Sequence, residues 1–327
     1  MITKRAALII PYFGGEFPNY FQLFLNSCEK NQDFTWMIFT DNRTKYRYPN
    51  NVKKISMSFG EMVSRVRSKF DFEICLDRPY KLCDYKCAYG YIFGDYLKEY
   101  DFWGHSDCDL IYGRLSDFIT DDILENYDKI LTLGHLTLYK NIPKITKMFM
   151  NELDGEEYYK KVFTSNESYN FDEDWNERIN INDIFRQYGA KIFYNENNQC
   201  HIADLYTKSS DFRVVLPGHE KEKNSKERRK KNSLFVYDKG ILMRYDKKGN
   251  EFESEEYLYI HFHKRPMNVF VSSDNEVFSI IPNSFEKIDM ENLRENYEYI
   301  KKKNINLQYF RVRLDNLRAK MRRRLSR

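Results

Sequence analysis

Several features that would point directly to a common enzyme class are missing from this sequence. The chain has no P-loop and no spaced Gly-x-Gly-x-x-Gly, the glycine-rich patterns that cradle phosphate groups. A histidine and a serine lie close together in the chain at His105 and Ser106, but they do not follow the pattern of a catalytic triad. These absences argue against a kinase and against a serine hydrolase.

Long hydrophobic runs and paired cysteines are missing as well. No stretch approaches the roughly 18 consecutive apolar residues of a membrane span, and the first residues lead into a strand pattern without the apolar core of a signal peptide. The six cysteines are scattered through core-like sequence, which is typical of a reducing compartment. Cys83 and Cys87 have no second cysteine or histidine pair after them at zinc-ligand spacing. We therefore expect a cytoplasmic protein.

Positive charge is concentrated at the end of the chain. The net charge is +4, but residues 311–327 contain eight basic residues and one acid, so the preceding chain is mildly acidic. This acidic body argues against nucleic-acid binding. In the tail, apolar residues recur every three or four positions, which predicts a basic amphipathic helix: Phe310, Leu314, Leu317, Met321 and Leu325. We expect it to lie on the anionic inner face of a membrane, and the alternative is docking onto the domain or a partner protein.

Apolar runs that alternate with helical patterns predict an α/β fold. This alternation is typical of a Rossmann-type, mixed and mostly parallel sheet flanked by helices. Ser58 and Glu61 have the spacing of a capping box, and Asp238–Gly240 predicts a small β-hairpin region. The predicted strands are 6–13, 35–40, 52–59, 101–113, 129–133, 234–237, 241–245 and 257–263, and the predicted helices are 18–31, 58–70, 79–100 and 177–188.

The length of the chain suits one large domain with additions. At 327 residues it exceeds the usual single-domain size without a linker that would divide it. We predict a main domain over residues 1–270 that contains a charged, solvated loop at 221–232. A C-terminal extension over 271–305 and the basic tail over 306–327 follow.

The candidate with the sharpest local pattern is the acidic pair Asp107 and Asp109, which lies in apolar sequence at the end of a predicted strand. Two carboxylates there are costly to bury unless a cation neutralises them. Mg²⁺ or Mn²⁺ suits carboxylate oxygens and would bridge to a diphosphate. The alternative is a solvated loop pair.

A second candidate segment contains His261 and His263, which lie two residues apart and hence on the same face of a predicted strand. Neutral imidazoles could add nitrogen ligands to a manganese ion, and the adjacent Lys264 could bind phosphate. The alternative is a partly exposed, polar edge strand.

Three further groups of polar residues are candidates for the same site. On the helix before the acidic pair, Lys81, Asp84 and Lys86 could bind the donor, but their spacing lets at most two serve, and a solvated helix face is the alternative. The acids of the 171–175 segment could supply a catalytic base or a carboxylate facing the transition state, or could instead favour a helix dipole: Asp172, Glu173 and Asp174. Asp41 lies at the end of a strand, and a contact with a nucleoside and a position in a surface turn are equally good interpretations of it. Gly134-His135 could contact an acceptor, and the alternative is a histidine at the edge of the core.

Together these segments resemble the bacterial glycosyltransferases found with capsule and lipopolysaccharide synthesis genes. The resemblance covers most of the first 270 residues and rests on Ile10–Phe13, Phe39–Asp41, Pro79–Lys86, Trp103–Asp109 and Gly134–Tyr139. It implies a GT-A fold with Asp107 and Asp109 on manganese, and a nucleoside near Pro11, Tyr12, Phe13 and Asp41. His261, Lys264 and Pro266 are similar to the metal-histidine and phosphate-lysine segment of retaining galactosyl- and glucosyltransferases.

The expected function follows from this resemblance. We expect a metal-dependent transferase that moves a hexose from UDP-galactose or UDP-glucose to a growing cell-surface polysaccharide or a lipid-linked oligosaccharide. The alternative is a non-catalytic protein that binds nucleotide or carbohydrate in the same kind of cleft.

Overall fold

The architecture was analysed in a computed structural model. The structure describes residues 5–174, 178–195, 199–207, 209, 211–215, 229–230, 233–249 and 251–303, and in the tail residues 307, 310, 311, 313–315, 317, 318 and 321. None of the helices in these ranges is both long and apolar enough to cross a bilayer. All six cysteines fall within the described ranges, and none of them forms a disulfide.

The strands follow the predicted order but are divided more finely. Two strands, β4 and β5, replace the single strand predicted over 101–113, and they flank the acidic pair. The strands are β1 Ala6–Tyr12, β2 Phe34–Thr40, β3 Val52–Ser56, β4 Phe102–Ser106, β5 Leu110–Tyr112, β6 Lys129–Leu133, β7 Leu136–Lys140, β8 Ile192–Phe193, β9 Ile202–Asp204, β10 Phe212–Val215, β11 Arg229–Lys230, β12 Ser233–Asp238, β13 Ile241–Lys248, β14 Glu251–Glu256, β15 Tyr259–His261, β16 Asn268–Val269, β17 Val277–Ile281 and β18 Ser284–Glu286.

The helices are mostly short. The capping box predicted for α2 is present, since Ser58 accepts from the Glu61 N–H while the Glu61 carboxylate accepts from the Ser58 N–H. The helices are α1 Phe21–Glu29, α2 Phe59–Arg67, α3 Tyr89–Ile92, α4 Leu115–Phe118, α5 Asp121–Asn126, α6 Pro143–Thr146, α7 Tyr158–Thr164, α8 Ile181–Gln187 and α9 Leu293–Lys302, with 3-10 helices at Pro79–Ala88, Gly94–Tyr96 and Met148–Met150.

The helix predicted over 79–100 is wrong in type. The segment is a 3-10 helix, then the single turn α3, then a second 3-10 turn. Its first ten residues are buried on several sides. Such a segment does not need the single apolar stripe by which an amphipathic α-helix is recognised in a sequence. The tighter winding also changes which side chains share a face.

The central sheet contains seven described strands in the order β3-β2-β1-β4-β7-β6-β8. The first four are parallel, and β7 is antiparallel to β4. Alternate residues of β1 enter opposite cores: Ala7 and Ile9 pack on one face, and Leu8 and Ile10 on the other. Both faces of the sheet are therefore covered, as the alternating sequence pattern predicts.

Two smaller sheets complete the domain. One has the order β11-β10-β9-β15-β5, and the other has the order β14-β13-β12-β17-β18-β16. The predicted hairpin joins β12 to β13 through Lys239 and Gly240, whose φ angles of 50° and 101° are typical of a two-residue turn. The six-stranded sheet is larger than the predicted hairpin region. The predicted end of the main domain, residue 270, directly follows β16, which belongs to this sheet because it pairs with β18.

The C-terminal segment packs on the six-stranded sheet through α9. Tyr297 and Ile300 of α9 are buried against Leu234 and Val236 of β12. Beyond α9 the apolar side chains of the described tail residues are between 47% and 87% exposed: Leu307, Phe310, Leu314, Leu317 and Met321. These described side chains are therefore outside the buried core of the domain. The loop predicted over 221–232 lies outside the described residues, except that Arg229–Lys230 forms β11.

Candidate metal centre

The acidic pair lies where the chain passes from the central sheet into the five-stranded sheet that contains β5. Asp107 directly follows β4, and Asp109 directly precedes β5. Cys108 between them is buried, so the connection is anchored in the core. The Asp107 side chain is 32% exposed, whereas that of Asp109 is 2% exposed. The alternative of a solvated loop pair is therefore wrong for Asp109, which is buried, whereas Asp107 is partly exposed.

His261 faces the pair because β15 runs antiparallel to β5, with His261 opposite Leu110. Its Nε2 lies 3.6 Å from Asp109 Oδ1 and 4.0 Å from Asp107 Oδ2. One ligand atom from each of these three residues lies within 4.8 Å of the others. Two carboxylates and one imidazole are a donor set that suits Mn²⁺.

The Asp109 carboxylate has one satisfied oxygen and one unsatisfied oxygen. Oδ2 accepts from the backbone N–H of Lys264. Oδ1 is buried and has no hydrogen-bond partner among the described residues. A buried carboxylate oxygen without a partner is costly, and a cation between it and His261 would satisfy it. The residues present therefore fit a divalent ion.

The charges of this group depend on one another. Burial alone would raise the pKa of Asp109, but the facing His261 and the Lys264 N–H lower it below its usual range. Burial alone would lower the pKa of His261, but Asp109 and Asp204 raise it to about 10. Without an ion, His261 is therefore an imidazolium that neutralises part of the acidic charge.

Asp204 is a site residue that sequence reasoning missed. It ends β9, which pairs in parallel with β15 so that Asp204 lies beside His261. Its Oδ1 is 3.3 Å from His261 Nδ1 and 3.2 Å from His263 Nε2. Ile202-Ala203-Asp204 is an acid at the end of a short apolar run, the same local pattern that revealed Asp107. That pattern could have identified it.

His263 does not join the acidic pair. Within the described residues, the groups with metal-ligand geometry are Asp107 with Asp109 and His261, and His135 with Asp204 and His261. His263 belongs to neither group. It lies beyond the end of β15 with a φ of +50°, so the strand alternation that predicted its direction does not extend to it. Its ring stacks on Tyr206 at 4.1 Å.

Lys264 reaches the cleft through its backbone and its side chain. Its φ of +54° follows that of His263, and these two left-handed residues turn the Lys264 N–H toward Asp109. Its Nζ lies 5.7 Å from the ring centroid of Tyr80 at the rim of the cleft. Burial alone would lower the pKa of Lys264, but the nearby Asp107 and Asp109 raise it. Its role in binding phosphate stays a prediction.

Of the three polar residues predicted to lie on the preceding helix, only Lys86 lines the cleft. Its Nζ donates to Asp107 Oδ1 at 3.0 Å and to Gly134 O at 2.7 Å, and lies 3.5 Å from Asp172 Oδ2. Burial alone would lower the pKa of Lys86, but Asp107 and Asp172 raise it well above its usual value. Lys86 thus joins the metal candidate to the second acidic group.

Lys81 and Asp84 are structural residues and do not line the cleft, and the expected solvated face is wrong for both. They form an ion pair of 2.8 Å in which both side chains are buried. Asp84 also accepts from the N–H groups of Tyr169 and Phe171, just before Asp172. The 3-10 winding places residues three apart on one side, which points this pair inward. Their effect on the site is indirect, because they anchor the segment that contains Asp172.

The predicted catalytic acids divide into two that line the cleft and one that does not. Asp172 and Glu173 face the cleft, whereas Asp174 is outside the set of described residues that line it, and Trp175 lies outside the described residues. Burial raises the pKa of Asp172 to about 7 against the opposing charge of Lys86. Burial likewise raises the pKa of Glu173, which accepts from the Gly134 N–H at 3.2 Å. Asp172 can therefore hold or release a proton near neutral pH.

The residues predicted near a nucleoside lie along the same edge of the sheet. Pro11 and Tyr12 end β1, Phe13 follows, and Asp41 follows β2. Asp41 Oδ1 accepts from the Gly14 N–H at 3.4 Å. Burial, then Cys108 and Asp109, raises the pKa of Tyr12 to about 12, so Tyr12 lies close to the acidic pair. These four residues are outside the described lining of the cleft but beside it.

The cleft itself has a volume of about 400 Å³. Its lining combines the metal candidate, two lysines, the raised-pKa acids and aromatic side chains: Tyr80, Cys83, Lys86, Asp107, Asp109, Gly134, His135, Asn170, Asp172, Glu173, Asp204, Tyr206, His261, His263 and Lys264. A concave site with convergent charged groups and shifted pKa values is the usual form of a small-molecule active site.

Fold and site together define a mixed α/β protein with an acidic, histidine-containing cleft at the carboxyl edge of its parallel strands. The chain belongs to DUF6625, a family of unknown function, whose model matches residues 8–289. This match includes the described strands of all three sheets, apart from the first two residues of β1, and the whole cleft lining. A comparison with curated proteins finds no match.

Proposed function

We propose that this protein is a metal-dependent glycosyltransferase. It would transfer a hexose from a nucleotide sugar, UDP-galactose or UDP-glucose, to a cell-surface polysaccharide or a lipid-linked oligosaccharide. One observation carries the proposal: Asp107, Asp109 and His261 converge around a buried Asp109 oxygen that lacks a hydrogen-bond partner among the described residues.

The sheet topology supports a nucleotide at this position. The order β3-β2-β1-β4 of the parallel strands is that of a Rossmann-type half, and it reverses between β1 and β4. Ligands of open α/β sheets bind outside the carboxyl ends of the strands at such a reversal. The acidic pair follows β4 directly, and the antiparallel β7 beside it is compatible with a GT-A-like fold.

Each charged group of the cleft has a role in this proposal. Asp107, Asp109 and His261 would hold Mn²⁺ or Mg²⁺, and the ion would supply positive charge to the diphosphate of the leaving nucleotide. The Lys264 ammonium would bind a phosphate oxygen as a point charge. The edge formed by Tyr12 and Asp41 would receive the nucleoside.

Asp172 and Glu173 are the candidates for chemistry at the sugar. A group with a pKa near 7 is well matched to proton transfer at neutral pH, and the pKa of Asp172 is about 7. A carboxylate here could take the proton of the acceptor hydroxyl or stabilise an oxocarbenium-like transition state. Lys86 bonds Asp107 and also lies near Asp172, so it couples the donor and acceptor sides of the cleft.

The test is Mn²⁺-dependent hydrolysis and transfer with a panel of nucleotide sugars, measured as released nucleotide. Asp109→Asn should reduce turnover by at least about 100-fold, because it weakens an ion that acts on the leaving group. Asp121→Asn, the same change at an exposed position in α5, should leave turnover unchanged. Wild-type turnover that persists in Asp109→Asn would reject the metal assignment.

A non-catalytic binding protein is the alternative, and the same panel separates the two. Nucleotide sugars that raise the melting temperature only with Mn²⁺ show a bound donor, since a ligand of the folded state stabilises it. A donor that binds but is never hydrolysed or transferred, over a broad set of acceptors, would favour the alternative.

The exposed tail extends the proposal to a membrane surface. The apolar side chains of its described residues are exposed, and residues 311–327 carry eight basic residues and one acid. Each basic residue near anionic lipid adds roughly 1 kcal/mol of binding. We expect co-sedimentation with phosphatidylglycerol vesicles but not with phosphatidylcholine vesicles, and its loss when Leu314 and Leu317 are both replaced by glutamate. Equal sedimentation of the variant would contradict this role.

A further inference from the structure

Asp204 contacts two histidines of the cleft, and strand pairing fixes its position. The parallel register of β9 and β15 places it beside His261, and its side chain is 6% exposed. Its Oδ1 lies 3.3 Å from His261 Nδ1, while His261 Nε2 points to the acidic pair on the other side of the ring. One imidazole thus lies between the Asp204 carboxylate and the metal candidate.

Asp204 could instead be a metal ligand together with His135 and His261, since these three also have ligand atoms close together. Ring geometry argues against this. The two imidazoles stack at 4.2 Å with planes only 26° apart. A metal binds in the plane of an imidazole at about 2 Å, and nearly parallel planes do not converge within that distance. His135 Nδ1 is also bonded to the Tyr259 hydroxyl at 2.8 Å.

We infer that Asp204 is a positioning residue that sets the tautomer of His261. Its carboxylate accepts from Nδ1–H, so an ion that replaces the Nε2 proton would meet the Nε2 lone pair on the side of Asp107 and Asp109. A histidine that binds a metal through one nitrogen usually donates from the other to a carboxylate, which fixes its orientation and raises its basicity. Burial strengthens the case for this contact, because the His261 side chain is only 8% exposed and few other acceptors are available to Nδ1–H. The inference rests on the proposed metal-dependent function.

The experiment measures Mn²⁺ binding to the full chain by electron paramagnetic resonance, without substrate. Asp204→Asn should bind Mn²⁺ about 10- to 100-fold more weakly than the wild type, since an amide can donate as well as accept and so populates the wrong tautomer. Glu286→Gln is the matched control, a buried carboxylate outside the cleft that bonds Ser284, and should bind as the wild type does.

Each other outcome separates this inference from the proposed function. In one outcome the wild type binds one Mn²⁺, Asp109→Asn does not bind it, and Asp204→Asn binds it with full affinity. The metal site is then supported, and Asp204 has no positioning role. If the wild type binds two ions and Asp204→Asn loses one, Asp204 is a ligand. If the wild type binds none, the metal site and the role of Asp204 both fall.

A second measurement does not depend on the variant folding. With Cd²⁺ bound to the wild type and histidine labelled with ¹⁵N, NMR should show His261 protonated at Nδ1 and metal-bound at Nε2. Only six histidines contribute signals. A His261 protonated at Nε2, or bound to the ion through Nδ1, would overturn the inference.

Discussion

Gly134 is the position at which the cleft tolerates least change. A Cβ added there would lie 2.7 Å from Glu173 Oε2 and 2.9 Å from Asp172 Oδ2, distances that folded proteins essentially never contain. To reach an ordinary contact distance of 3.4 Å, the Asp172 carboxylate would have to retreat by about 0.5 Å and the Glu173 carboxylate by about 0.7 Å. Gly134→Ala therefore displaces the Asp172 and Glu173 carboxylates without removing any charged group.

The variant should separate activity from stability. The atoms that must move are the tips of side chains and not backbone, so the free energy of unfolding should fall by at most about 1 kcal/mol. A misplacement of 1 Å in a catalytic group costs about 100-fold in rate, so half of that should cost about 10-fold. The Gly134 N–H and carbonyl remain available to Glu173 and Lys86.

The assay is the turnover number for nucleotide-sugar transfer, measured beside urea unfolding. Gly94→Ala is the control, because no described atom lies within 4 Å of the Cβ it would add. It should retain full turnover and equal or slightly higher stability. Full turnover in Gly134→Ala would show that Asp172 and Glu173 take no part in the reaction, and global unfolding would show that the pair cannot move as argued.

Two buried lysines lead to further predictions. Burial lowers the pKa of Lys129 to about 7, although the Asp172 charge partly offsets this. Between pH 7 and pH 9 the unfolded chain therefore binds more protons than the folded chain. The free energy of unfolding should rise with pH over this range. This lysine should contribute about 2 kcal/mol to that rise; Lys129→Met should remove it in urea titrations at both pH values, whereas the exposed Lys144→Met should not. Asp84→Ala leaves the buried Lys81 without its carboxylate partner and should cost about 3–5 kcal/mol in the same assay. A free energy of unfolding equal to that of the wild type would contradict this.

Local patterns in the sequence were sufficient for the first three strands and the caps. Apolar runs located β1, β2 and β3, and the Ser58–Glu61 spacing located the start of α2. These features depend on neighbours within a few residues, which the sequence displays directly. The position of Asp107 and Asp109 at the end of a buried strand was predictable for the same reason.

Local patterns failed where burial came from several sides. The segment from Pro79 to Ala88 has no single apolar face, so its 3-10 winding and the inward direction of Lys81 and Asp84 could not be derived from helical periodicity. His263 was assigned by strand alternation, but β15 ends two residues earlier and the backbone turns left-handed there. In both cases contacts from distant segments decided the conformation.

The sequence by itself determined an alternating α/β chain with an acidic pair at a strand end, a histidine segment far along the chain and a basic amphipathic tail. Only the tertiary structure decided which of these meet. The pairing of β15 with β5 brings His261 to Asp109 across about 150 residues, and its pairing with β9 adds Asp204. The physical reason is register: strand partners are chosen by hydrogen bonds and packing between segments remote in sequence, and no pattern within either segment specifies that choice.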